Sequence, residues 1–171
     1  MLNFLIEDFN AKNLNKRKDK HFDNLVAFIE KIATKKGFRI YERKRIEVED
    51  FSKKLDIYFE SPRPDGTEHK HAIELKSISS SFGKNFNNRI EEMIGQAWIF
   101  KNIFKINKVG YVFVYHDVKE EYSYYSRLKT TIDKCVAEGL LDSCLLIKLS
   151  GKDIYMDPDY YFETFLYGIL N

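Results

Sequence analysis

Asp56, Glu74 and Lys76 are the residues whose types and spacing could do chemistry together. They lie in two segments, KKLDIYFE (53–60) and HKHAIELK (69–76), joined by SPRPDGTE, whose Pro and Asp-Gly are turn formers. Both segments read as strands, whose side chains alternate between two faces. In the first, Leu55, Ile57 and Phe59 point one way, and Lys54, Asp56, Tyr58 and Glu60 the other. In the second, Ile73 and Leu75 share a face, and Ala72, Glu74 and Lys76 share the opposite one. An antiparallel hairpin with both apolar sets on one side fixes the parity of the register. One register sets Asp56 opposite Glu74 and Ile57 opposite Ile73. The other slides by two and sets Asp56 opposite Lys76. In either, cross-strand partners are about 5 Å apart at Cβ.

Two facing carboxylates repel. A divalent cation reverses that sign, and a hard one such as Mg²⁺ or Mn²⁺ takes carboxylate and carbonyl oxygens. Asp56 and Glu74 would supply carboxylates and Leu75 its backbone carbonyl. Such a site stabilises charge on a phosphate and acidifies water. Lys76, roughly 7 Å along the strand from Glu74, is placed to steady developing negative charge or to position that water. The same three residues also suit an ordinary salt-bridged sheet face.

The surrounding elements must hold this face in place. Phe22, Leu25, Val26, Ile29, Ile32 and Ala33 recur at helical spacing, predicting a helix from about Lys20 to Lys36 stopped by Gly37. Residues 38–48 alternate as one strand or as two around a bend. SISSSFGKN (77–85) has loop chemistry, and a second helix follows over about Asn87 to Phe104 with Ile90, Met93, Ile94, Ala97, Trp98 and Ile99 on its apolar face. VGYVFVY (109–115) and CLLIKL (144–149) read as buried strands. Between them a helix is predicted, capped by Ser123 or Ser126 and ended by Gly139. Asp157-Pro158 starts a last helix. Residues 3–12 are expected to form a short docked helix. The fold class is α/β (α+β mixed), with a central mixed sheet of about five strands flanked by helices. The chain reads as a single domain, with a core at about 20–115, an N-terminal basic and helical segment at 1–19 and a C-terminal helix-strand-helix extension at 116–171.

An Asp on one strand, Glu-x-Lys on the next, a helix before and a helix and buried strand after together resemble the PD-(D/E)xK nuclease superfamily, the restriction-endonuclease-like fold. The likeness covers residues 20–115 through KLDIYFE and AIELKS, with Leu55 in place of the name's proline. It implies an αβββαβ core and a Mg²⁺-dependent nuclease in which Asp56 and Glu74 bind metal and Lys76 assists the water. The superfamily's frequent acid on the first helix corresponds to Glu30, as an auxiliary metal ligand. The Gln found on the following helix in several branches corresponds to Gln96, in IGQAWIF. The expected partner is DNA, RNA not being excluded, and the expected type is an endonuclease of restriction, phage or defence kind. It would work as a homodimer or within a larger nuclease. The alternatives are a non-catalytic DNA-binding or scaffolding protein on this fold, or a ribonuclease with the same metal site.

Composition bears on what the partner is. Hydrophobic residues at 44% and charged residues at 32% make a folded chain rather than a disordered one. A net charge of +2 does not itself demand a polyanion, but residues 12–20 (KNLNKRKDK) are locally basic. Lys16, Arg17, Lys18, Arg43, Lys44, Arg45, Lys84, Asn87 and Arg89 are the expected phosphate contacts. His69 and His71 lack metal-ligand spacing and read as loop residues near the nucleic acid, while His21, at the start of the first helix, corresponds in the resemblance to a histidine that approaches the site in some viral cap-snatching endonucleases. Tyr122, Tyr124 and Tyr125 suit either base stacking or packing. Cys135 and Cys144 read as reduced core thiols of a cytoplasmic protein. The acids within MLNFLIEDFN exclude a signal peptide, and no apolar run is long enough to span a membrane.

Overall fold

Leu25, Val26, Ile29 and Ala33, on one helical face, are all buried and form the inner stripe of helix α1 (Asp23–Lys35). Gly37, at φ +85, ends it. The computed structural model describes residues 22–62, 66–78, 82–116, 121–150, 153–156 and 162–171. The expected helix at 3–12, the basic segment with Lys16, Arg17 and Lys18, His21, and the Asp157-Pro158 helix start lie outside them.

After α1 come β1 (Arg39–Glu42), β2 (Arg45–Val48), β3 (Phe51–Lys54), β4 (Ile57–Pro62) and β5 (Glu68–Ile78). Then follow α2 (Phe82–Asn102), β6 (Lys108–His116), α3 (Glu121–Ala137), β7 (Ser143–Ser150), β8 (Asp153–Met156) and α4 (Phe162–Leu170). The mixed α/β architecture is as expected. Six strands form one sheet in the order β1-β4-β5-β6-β7-β8, and β2 and β3 form a separate ribbon. β5, β6 and β7 run parallel, with α2 and α3 as crossovers, while β1, β4 and β8 pair antiparallel at the flanks. α1 and α4 cover one face over Ile57, Phe59, Ile73, Val112 and Leu145. α2 and α3 cover the other over Tyr58, Ala72, Tyr111, Phe113 and Leu146. Among the described residues no helix is long and apolar enough to cross a membrane.

Several local expectations are corrected. Residues 53–60 are not one strand: β3 ends at Lys54 and β4 begins at Ile57. Arg43, opposite this break, has a left-handed backbone (φ +50) and turns the hairpin there. Leu55 therefore packs in the layer of Tyr58, not beside Ile57 and Phe59. Within 77–85 the described residues are strand and helix rather than loop. β5 runs on to Ile78, which is buried in the second layer, and α2 starts at Phe82, its Phe86 fully buried. Ser123 and Ser126 lie inside α3 rather than capping it. β8 is an additional edge strand.

Candidate metal and nucleic-acid site

β4 pairs with β5 with Ile57 opposite Ile73, the first of the two registers considered. Asp56 thus falls at the point where the hairpin turns, beside Glu74. Its backbone N–H donates to Glu74 Oε1 at 3.3 Å, and its own Oδ2 accepts from the Leu75 N–H at 2.9 Å. A strand residue directs its N–H and C=O to the same edge, so the Leu75 carbonyl faces the Asp56 edge of β5. Lys76 Nζ lies 3.1 Å from Glu74 Oε2 and 3.0 Å from Glu92 Oε1, and its side chain is 12% exposed. Asp56, Glu74 and Lys76 therefore do come together.

Burial, and after it the Asp56 carboxylate, pushes Glu74 up to about 6, against the pull of Lys76. Burial alone would lower Lys76, but Glu74 and Glu92 outweigh it and hold the ammonium charged. The donor set of two carboxylates and a strand carbonyl is all hard oxygen, and a divalent cation would offset the repulsion that raises Glu74. The residues fit Mg²⁺ or Mn²⁺ in type. Among the described residues no three His, Cys, Asp or Glu side chains converge on one point, so these two carboxylates are the side-chain donors on offer.

Glu30 is exposed on α1 and does not line the cavity beside Asp56 and Lys76. Asp23, seven residues earlier, does. Gln96 is joined to Lys76 through another residue. Its Nε2 donates to Glu92 Oε1 at 3.0 Å, and its Oε1 accepts from the Tyr111 hydroxyl at 2.9 Å. Glu92 is one residue that sequence reading missed. Its signal was its position four before Gln96, hence on the same helix face. Tyr111 sits opposite Glu74 in the β5–β6 ladder. Its partnership was not visible without that register.

The cavity is about 410 Å³, and its walls carry Arg43, Lys54, Lys76 and Arg89. Arg89 also pairs with Glu92. Lys54 was not among the expected contacts, and other expected ones go elsewhere. Lys44 binds Glu60 Oε1 at 2.8 Å and lies 4.0 Å over the Tyr41 ring, a half-buried structural anchor. Asn87, now on α2, accepts from Arg127 at 3.1 Å. Lys84 falls in the first turn of α2, with its side chain outside those described. Arg45 is exposed on the ribbon. His69 and His71 are in β5, not a loop. His71 is 2% exposed against Phe38, and burial lowers it to about 4. Tyr124 and Tyr125 pack on the second layer. Cys135 and Cys144 are buried free thiols.

No family model matches the chain, and no curated protein matches it. Among solved structures it is similar to an XisH family protein from Nostoc punctiforme PCC 73102, with 21% identity over 74% of this chain and 93% of that one and a TM-score of 0.38.

Proposed function

We propose that this protein is a divalent-metal-dependent nuclease that hydrolyses phosphodiester bonds of DNA as an endonuclease. One observation carries the reading: a largely buried lysine ammonium, its side chain 12% exposed, is held 3.1 Å from Glu74 and 3.0 Å from Glu92, next to Asp56, in a cavity that Arg43, Lys54 and Arg89 line together with Asp23 and Glu42. Asp56, Glu74 and the Leu75 carbonyl would hold Mg²⁺ or Mn²⁺. When bound, such an ion supplies charge neutralisation at the phosphate and acidifies water. Lys76 keeps its proton between two carboxylates and offers it as a hydrogen-bond donor where negative charge develops. Glu92, fixed by Arg89 and Gln96, keeps that ammonium in place. Arg43, Lys54 and Arg89 bind flanking phosphates.

The test is cleavage of supercoiled, linear and single-stranded DNA and of RNA in Mg²⁺, in Mn²⁺ and in EDTA. Nicking of supercoiled DNA that EDTA abolishes is expected, with Glu74→Ala and Lys76→Ala each lower by about 10²–10³-fold. Wild-type protein no more active than these variants on every substrate would sink the proposal, and preferential cleavage of RNA would move it to ribonuclease.

One observation favours a second reading, nucleic-acid binding without cleavage. Asp56 and Glu74 already accept from the Leu75 and Asp56 N–H groups and from Lys76, as a structural salt-bridged face would. That reading predicts tight binding that neither metal nor EDTA alters and no cut product.

A further inference from the structure

The hairpin spanning 39–60 is longer than the sheet requires. Its near half, β1 with β4, closes one edge of the sheet, and its far half leaves as the β2–β3 ribbon. The register runs unbroken between the halves. Glu42 faces Ile57 and Arg45 faces Lys54, and bonds from Arg43 N–H to the Asp56 carbonyl and from Leu55 N–H to the Lys44 carbonyl, both 2.9 Å, fill the gap. The ribbon is therefore an extension of the strand pair that carries Asp56, joined to that residue through Arg43, Lys44 and Leu55.

The two faces of the ribbon differ in chemistry. Arg45 opposite Lys54 and Glu47 opposite Ser52 form one face. Ile46 opposite Lys53 and Val48 opposite Phe51 form the other. Arg45 donates to Ser52 Oγ at 2.6 Å, across the first face. Lys54 and Arg43 line the cavity, so this face continues the cavity wall outward with Arg43, Lys54 and Arg45 in a row. Ile46 packs on the second core layer and fixes which face looks toward the cavity. Glu47, Glu49 and Asp50 confine the positive surface to the ribbon's base. Four residue pairs at about 3.4 Å each extend it roughly 10–14 Å, and the major groove of B-form DNA admits a two-stranded ribbon.

We infer that the β2–β3 ribbon is an arm that seats a nucleic-acid duplex, with Arg43, Arg45 and Lys54 on its phosphates, and sets the duplex over the Asp56–Glu74 site. The inference rests on the nuclease reading only for what happens after seating. Seating itself is a binding property and is measured without metal. Because the arm is joined to Asp56 through Arg43, Lys44 and Leu55, a duplex held on it is indexed to that carboxylate rather than to a separate domain.

The test uses the full chain in EDTA and follows fluorescence anisotropy of a short labelled DNA duplex, and of one of its strands alone, over a range of NaCl concentrations. Each phosphate contact contributes about 0.9 to the slope of log affinity against log salt on a duplex. Arg45→Gln with Lys54→Gln should lower that slope by about 2 and weaken duplex binding at least ~10-fold at moderate salt. The opposite-face control Lys53→Gln and the charge-keeping pair Arg45→Lys with Lys54→Arg should retain the wild-type slope. The single strand should lose less than the duplex. A double variant that binds duplex with the wild-type slope overturns the arm, as does an equal loss in Lys53→Gln or an equal loss on single strand. The two failures separate. A wild type that shows ribbon-dependent binding but cuts nothing defeats the nuclease reading and leaves the arm. A wild type that cuts while the double variant binds unchanged defeats the arm and leaves the nuclease.

Discussion

Glu74 is where folding and the proposed chemistry pull apart. Its carboxyl is buried beside Asp56 and raised to about 6 from an ordinary 4.5. The native state therefore favours the protonated form. The stability this gives is fully present below about pH 4.5 and is lost as pH rises through about 6, so at neutral pH the metal-free protein carries a cost on the order of 1–2 kcal/mol. Gln has nearly the same shape, keeps one oxygen for the Asp56 N–H, leaves Lys76 to its pairing with Glu92, and has no charge to bury. Glu74→Gln should raise the stability of the metal-free protein at pH 7 by about that amount and leave it nearly unchanged at pH 4. Mg²⁺ should stabilise the wild type against urea but not the variant. Urea titrations at both pH values in EDTA decide it, and a variant less stable than wild type at pH 7 refutes the account. The alternation of EHKHAIELK made the pairing of Glu74 with Lys76 legible in the sequence, because period two is a local rule. Glu92 was not legible as a site residue, because an acid on a helix reads as solvated until the strand facing it is known.

At the scale of elements, what escaped the sequence has a common cause in backbone conformation and close approach. The turn at Arg43 needs a left-handed residue, and nothing in an arginine announces one. That turn splits KKLDIYFE and moves Leu55 to the other layer. The four-residue strand β8 is too short for alternation to be distinctive. The fit of α4 against the sheet is similarly hidden in Gly168. A Cβ there would lie 2.9 Å from the Ser143 Cβ and 3.1 Å from the Asp142 carbonyl oxygen, and backbone does not give way. Gly95, in α2, has nothing within 4 Å of such a Cβ. The same substitution should then have opposite signs in the two helices. Gly95→Ala should stabilise by about 0.5–1 kcal/mol through helix propensity. Gly168→Ala should destabilise by about 1–2 kcal/mol, because the clash outweighs that gain. Denaturant unfolding of both variants checks this, and stabilisation by Gly168→Ala would show that α4 sits further from β7.

At the scale of the whole molecule, the described part of the chain beyond residue 116 continues the same sheet and the same packed face. β7 lies beside β6 in the sheet, and α4 shares the face covered by α1. Both strands were legible as buried because each is a near-continuous apolar run, but a run does not say which helix covers it. Phe162, Phe165, Leu166, Ile169 and Leu170 of α4 are all buried. At about 1.5–3 kcal/mol for each large apolar side chain, even after a reduction for a compact unfolded state, their loss rivals the 5–15 kcal/mol that holds an ordinary domain together. It would also open Ile57, Phe59 and Ile73 to water on the strands that carry the site. A chain ending at Met156 should therefore lose cooperative urea unfolding, and the Asp56–Glu74 geometry with it, although every site residue is still present. The measurement is the far-UV circular dichroism urea transition of that truncation beside the full chain. A sharp transition at the full chain's midpoint would mean that α1 alone closes this face. The site would then depend only on the αβββαβ core, and α4 would be an addition to a domain already complete.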